Sequence, residues 1–143
     1  MRELREAGIV LGLFCFVCVL TNAGAKAQTI YFGVHNIALK SGESAELGDV
    51  YYITHDCKSL LKGAPEVEVL DGPPGVNAAI KEDKIVPRTL GCTKPVPGGK
   101  LILTASEIEE YGRARMVLRI KMKTSQGDRQ HSRDVNISLI PRD

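Results

Sequence analysis

Two stretches near the end of the chain alternate so regularly that they leave little choice of local structure. In Val117-Leu118-Arg119-Ile120-Lys121-Met122-Lys123, Leu118, Ile120 and Met122 fall on one face and Arg119, Lys121 and Lys123 on the other. After a turn at Ser125-Gln126-Gly127-Asp128, Val135, Ile137 and Leu139 alternate with Asp134, Asn136 and Ser138. A period of two is the signature of a half-buried strand, because successive side chains point to opposite faces. The pair predicts an antiparallel hairpin with one dry and one wet face.

The preceding chain reads the same way. Ile30, Phe32 and Val34 alternate within 28–39, and Lys40-Ser41-Gly42-Glu43 makes a turn. A strand returns over 44–57, broken at Gly48-Asp49, and residues 59–63 form either a short helical turn or an irregular connection. Val67 and Val69 alternate with Glu66 and Glu68, and Asp71-Gly72-Pro73-Pro74-Gly75 is a loop. Segments 76–82 and 84–88 are expected to form a hairpin around Glu82-Asp83. Residues 93–99 are too rich in Pro and Gly for regular structure, and 100–104 is a short strand. Ser106, with Glu109 three residues on, marks a short helical turn near 106–111.

About seven to nine short strands spaced roughly 8–12 residues apart indicate an all-β sandwich or barrel. The Ser41-Gly42-Glu43-Ser44 turn leading to Tyr51-Tyr52, the strand at 101–104 and the hairpin 115–140 resemble an immunoglobulin-like antiparallel β-sandwich. The chain departs from the antibody pattern in having no Trp and in placing Cys92 in a loop. It also resembles small exported bacterial proteins of unknown function, a likeness that implies no activity.

The first 27 residues are read as a secretory signal peptide, leaving a single domain over 28–143. A polar, partly basic lead precedes the apolar run Ile9 to Leu20, and Ala23-Gly24-Ala25-Lys26-Ala27 offers small residues for cleavage. The run is too short to cross about 30 Å of hydrocarbon as a helix, so no stable membrane insertion is expected once the leader is cut. Cys15 and Cys18 leave with it, after bulky Phe14 and Val17 that do not suit lipid attachment. The remaining pair, Cys57 and Cys92, is expected to form a disulfide in a periplasmic or extracellular bacterial setting.

Removing Arg2, Arg5 and Lys26, with Glu3 and Glu6, leaves 16 of the 19 basic residues and 15 of the 17 acidic ones. So balanced a domain gives no bulk attraction to nucleic acid. His55-Asp56-Cys57 gathers three metal-binding types, but on a strand His55 and Cys57 share one face and supply two ligands where zinc needs three or four. A copper carrier using His residues with Met116 or Met122 is weighed against Met122 having core spacing. No metal and no cofactor is expected. Nor is an enzyme: no G-x-S-x-G occurs. Glu66/Glu68 and Glu107/Glu109/Glu110 read as solvated faces, and sugar-stacking aromatics are scarce, with four Tyr, three Phe and no Trp.

The most concentrated surface signal is the basic row Arg113, Arg115, Arg119, Lys121 and Lys123, extended by Arg129 and Arg133 from the partner strand. Its plain reading is a solvated sheet face that discourages pairing with other chains. Its functional reading is a docking surface for an anionic glycan, a lipid head group or an acidic protein. The Pro-rich loops 71–75 and 93–99 give an alternative, an inhibitor of a secreted hydrolase. A surface or pilus assembly subunit is the other. Asn136-Ile137-Ser138 matches a glycosylation sequon but lies mid-strand.

Overall fold

The computed structural model describes residues 28–29 and 36–143. The leader read at 1–27 and the strand read through Ile30, Phe32 and Val34 lie outside the described residues. Two short strands, β1 (Gln28–Thr29) and β4 (Tyr52–Ile53), pair antiparallel. The other strands are β2 (Asn36–Lys40), β3 (Ser44–Val50), β5 (Glu66–Asp71), β6 (Val76–Ile85), β7 (Val96–Ala105), β8 (Gly112–Thr124) and β9 (Gly127–Ile140). They form a four-stranded sheet ordered β2-β9-β8-β5 and a three-stranded sheet ordered β3-β7-β6.

This is an all-β sandwich. Its strand order is that of the immunoglobulin fold, with β2 carried over to sit beside the last strand, β9. One pairing departs from the antiparallel expectation: β2 runs parallel to β9, from Asn36 opposite Asn136 to Lys40 opposite Ile140.

Each sheet contributes its dry face to one core. Leu39, Met116, Leu118, Ile120, Val135 and Ile137 come from the four-stranded sheet and Leu47, Val50, Leu101 and Leu103 from the other, all nearly or fully buried. Each such side chain contributes roughly 1.5–3 kcal/mol by leaving water. The β8–β9 hairpin forms as its alternation demands, with thirteen paired positions from Gly112 opposite Leu139 to Thr124 opposite Gly127. Gly127 takes φ +95°, and the buried Thr124 hydroxyl donates to the Gly127 carbonyl at 2.5 Å, closing the turn.

Three local expectations are corrected. The hairpin around Glu82-Asp83 is instead the single strand β6, paired to β7 from Val76 opposite Ala105 to Ile85 opposite Val96. Lys81, Glu82, Asp83 and Lys84 look like a turn in sequence; at the edge of a sheet the same charges face water and oppose pairing with other chains. The irregular loop 93–99 is half strand, since β7 begins at Val96. Strand β3 pairs no further than Gly99, so Pro97 has a strand neighbour on one side only, where a missing donor is tolerated. Gly98 and Gly99 are packing positions: a Cβ on Gly98 would lie 2.5 Å from the Val50 carbonyl oxygen, and one on Gly99 would lie 2.4 Å from Ile80 Cγ2.

The third concerns 106–111, which is not helical. The Ser106 hydroxyl caps nothing; it and its own N–H both donate to the Gly75 carbonyl, at 3.1 and 2.7 Å. The helical turn among the described residues is a 3-10 turn at Arg88–Leu90, closed by Gly91 at φ +80°. Cys92 follows it, and the Cys57–Cys92 disulfide is present with Cα atoms 5.8 Å apart. It joins the connection after β4 to the connection before β7 and packs with Tyr51, Ile53, Ile85 and Val96 in a second small core.

Candidate binding face on the four-stranded sheet

The row read from the sequence lies on the wet face of β8. Arg113, Arg115, Arg119, Lys121 and Lys123 alternate with buried Met116, Leu118, Ile120 and Met122. What a single strand could not show is the company on either side. Residues paired across strands share a face. Strand β9 therefore brings Asp134 beside Val117 and Asp128 beside Lys123, and β5 brings Glu66 beside Lys121, Glu68 beside Arg119 and Asp71 beside Val117.

Five carboxylates thus flank five cations. Three of the cations are held: Lys121 Nζ lies 2.8 Å and Arg119 Nη1 3.6 Å from Glu68 Oε2, and Arg115 pairs with Asp134. The Lys121 hydrogen bond and charge, with Arg119 behind them, hold the Glu68 carboxyl below its usual range. Asp134 raises the Arg115 guanidinium in the same way. Most of the face is a neutral charge ladder.

Arg129 and Arg133 do not join the row. They share the opposite face of β9 with Val135; Arg133 is buried at 6 % exposure, and Arg129 Nε reaches the Tyr52 hydroxyl at 3.5 Å. A shift of one residue along a strand reverses its face, and β9 opposes Arg133 to Leu118, not to Arg119.

The two ends of the row, Arg113 and Lys123, have no carboxylate within ion-pair distance among the described residues. At the Arg113 end the face changes character. Arg113, Ala114, Asn36, Asn136, Ile137 and Ser138 line a concavity of about 360 Å3. Asn36 is delivered by the parallel β2–β9 pairing and Ser138 by its position opposite Arg113. The Asn136 amide donates to Asn36 Oδ1 at 3.0 Å. That bond leaves the Asn36 amide N–H groups as donors and the Asn136 carbonyl oxygen as an acceptor for other partners. Farther down the same face, Lys40 Nζ is paired with Asp143 at 2.6 Å, and that hydrogen bond and the carboxylate's charge raise the lysine's pKa. Tyr111 itself is 74 % exposed.

The other candidates are dispersed. His55 sits in a turn closed by the Cys57 N–H donating to the Thr54 carbonyl at 3.0 Å, not on a strand, and Cys57 is consumed by the disulfide. Met116 and Met122 are core residues. Among the described residues no group of three or more His, Cys, Asp or Glu side chains is placed to hold a metal ion. The 71–75 loop is tied down through Gly75 and borders Glu107–Glu110 across an open groove of about 470 Å3.

The sequence alone carries no signal that marks Asn36, Asn136 and Ser138 as binding residues. Asn136 and Ser138 read as ordinary wet positions, and Asn36 is one hundred residues from its partner. No protein-family model matches the chain, and no curated protein matches it.

Proposed function

We propose that this chain is a non-enzymatic binding module, exported to the periplasm or exterior of a bacterium, that recognises an anionic partner at the Arg113 end of the four-stranded sheet. The observation that carries the reading is the contrast along one strand. Arg115, Arg119 and Lys121 are neutralised by their neighbours, whereas Arg113 has no carboxylate partner among the described residues and borders a concave patch of amide and hydroxyl groups. An exposed guanidinium beside neutral hydrogen-bonding groups is suited to a specific anion contact. Export is supported by the disulfide, a bond that persists in oxidising compartments.

Retention of the purified protein on a carboxymethyl-dextran surface tests this. Retention at low salt should fall steeply as salt rises. It should be lost in Arg113→Gln and kept in Lys84→Gln, which removes the same charge from the edge of the other sheet. Absence of retention, or equal loss in both variants, would overturn the reading.

A further inference from the structure

We infer that the group recognised at this site is a carboxylated sugar, a uronic acid unit of an oligosaccharide; the assignment rests on the Arg113 reading above. Three features select it. The first is charge. Arg113 is the cation left available at the concavity, because Arg115 is engaged by Asp134 and Lys40 by Asp143. One planar guanidinium matches one planar carboxylate through two parallel hydrogen bonds. A densely sulfated chain, with several closely spaced anions, would bring its further charges against the carboxylates of the ladder.

The second is the pattern of donors and acceptors. With Asn136 donating to Asn36, the pair presents an amide donor next to a carbonyl acceptor, and Ser138 adds a hydroxyl able to do either. Neighbouring sugar hydroxyls, each both donor and acceptor, are complementary to that set. The third is Tyr111. It precedes Arg113 by two residues and is 74 % exposed, so an apolar ring open to solvent lies close along the chain to the guanidinium. A pyranose has the matching construction, with a C–H face and a hydroxyl rim. Exposed Tyr with an apolar body and polar tip is suited to such half-wet contacts.

Isothermal titration with trigalacturonic acid tests the assignment, against its methyl ester and a κ-carrageenan oligosaccharide, which is sulfated and lacks carboxylates. Trigalacturonic acid should bind, and esterification should weaken binding about tenfold or more, the loss of roughly one charged contact. Tyr111→Ala and Asn36→Ala should each weaken it several-fold, while Tyr111→Phe retains it. Both positions are exposed, so unfolding curves of these variants should match the wild type. Equal binding of the ester, or no effect of Tyr111→Ala and Asn36→Ala, would overturn the sugar-acid assignment. Arg113-dependent binding of the carrageenan oligomer in place of trigalacturonic acid would overturn it too, while leaving an anionic partner standing. Failure on carboxymethyl-dextran would remove both.

Discussion

Replacing both Cys57 and Cys92 by Ala probes how much of the fold depends on joining two connections that share few other ties. The bridge closes a loop with a sequence separation of 35. The chain-entropy relation for a loop of that length gives about 4 kcal/mol of stabilisation, through restriction of the unfolded chain. That is a large share of the roughly 5–15 kcal/mol typical of a domain, and at about 4 °C per kcal/mol it lowers Tm by roughly 15 °C. A second substitution separates the cross-link from local backbone strain. Cys57 holds φ +64°, a left-handed conformation that costs a non-glycine residue about 1–2 kcal/mol. Cys57→Gly with Cys92→Ala should therefore be more stable than the double alanine by about 1 kcal/mol. Urea unfolding of the three proteins, followed by circular dichroism, measures both differences. A double-alanine loss below about 1 kcal/mol would refute the loop-entropy account. A glycine variant less stable than the alanine variant would refute the strain argument.

Other perturbations follow from the packing. Leu118→Ala removes a fully buried side chain from the centre of the core and should cost about 2–5 kcal/mol in the same urea assay. Gly98→Ala forces a methyl group against the Val50 carbonyl oxygen and should cost roughly 1–3 kcal/mol, whereas Gly112→Ala meets no atom within 4 Å and should be nearly neutral. Glu68 has its pKa lowered by Lys121, so its contribution is present above the unfolded carboxyl value and is lost as pH falls through the folded value. Glu68→Gln should therefore lower stability slightly at neutral pH, make no difference at pH values below the folded carboxyl value, and so flatten the acid limb of the stability profile between them.

How far the sequence spoke depended on how local each feature was. The β8–β9 hairpin was legible because its pattern, turn and pairing lie in one stretch of chain. The Arg113-to-Lys123 row was legible for the same reason, but its charge balance was not. Glu68 and Asp134 reach Lys121, Arg119 and Arg115 from neighbouring strands. The pocket was hidden more deeply, since a parallel pairing of β2 with β9 brings Asn36 to Asn136 across a hundred residues. Pro97, Gly98 and Gly99 carry turn chemistry in sequence, yet tight contact with Val50 and Ile80 is what uses the glycines. Charge at Glu82-Asp83 marked an edge strand, not a turn. Composition records which residues avoid burial, and it does not separate a turn from an edge.

Recognition is assigned to one end of one sheet face. A 1H–15N NMR titration of the protein with trigalacturonic acid tests it most directly. Shift changes should cluster at Asn36, Tyr111 to Arg115, Asn136 and Ser138, and should disappear in Arg113→Gln. Changes centred on Lys121 and Lys123, on the 71–75 loop, or spread evenly over both sheets would contradict the account.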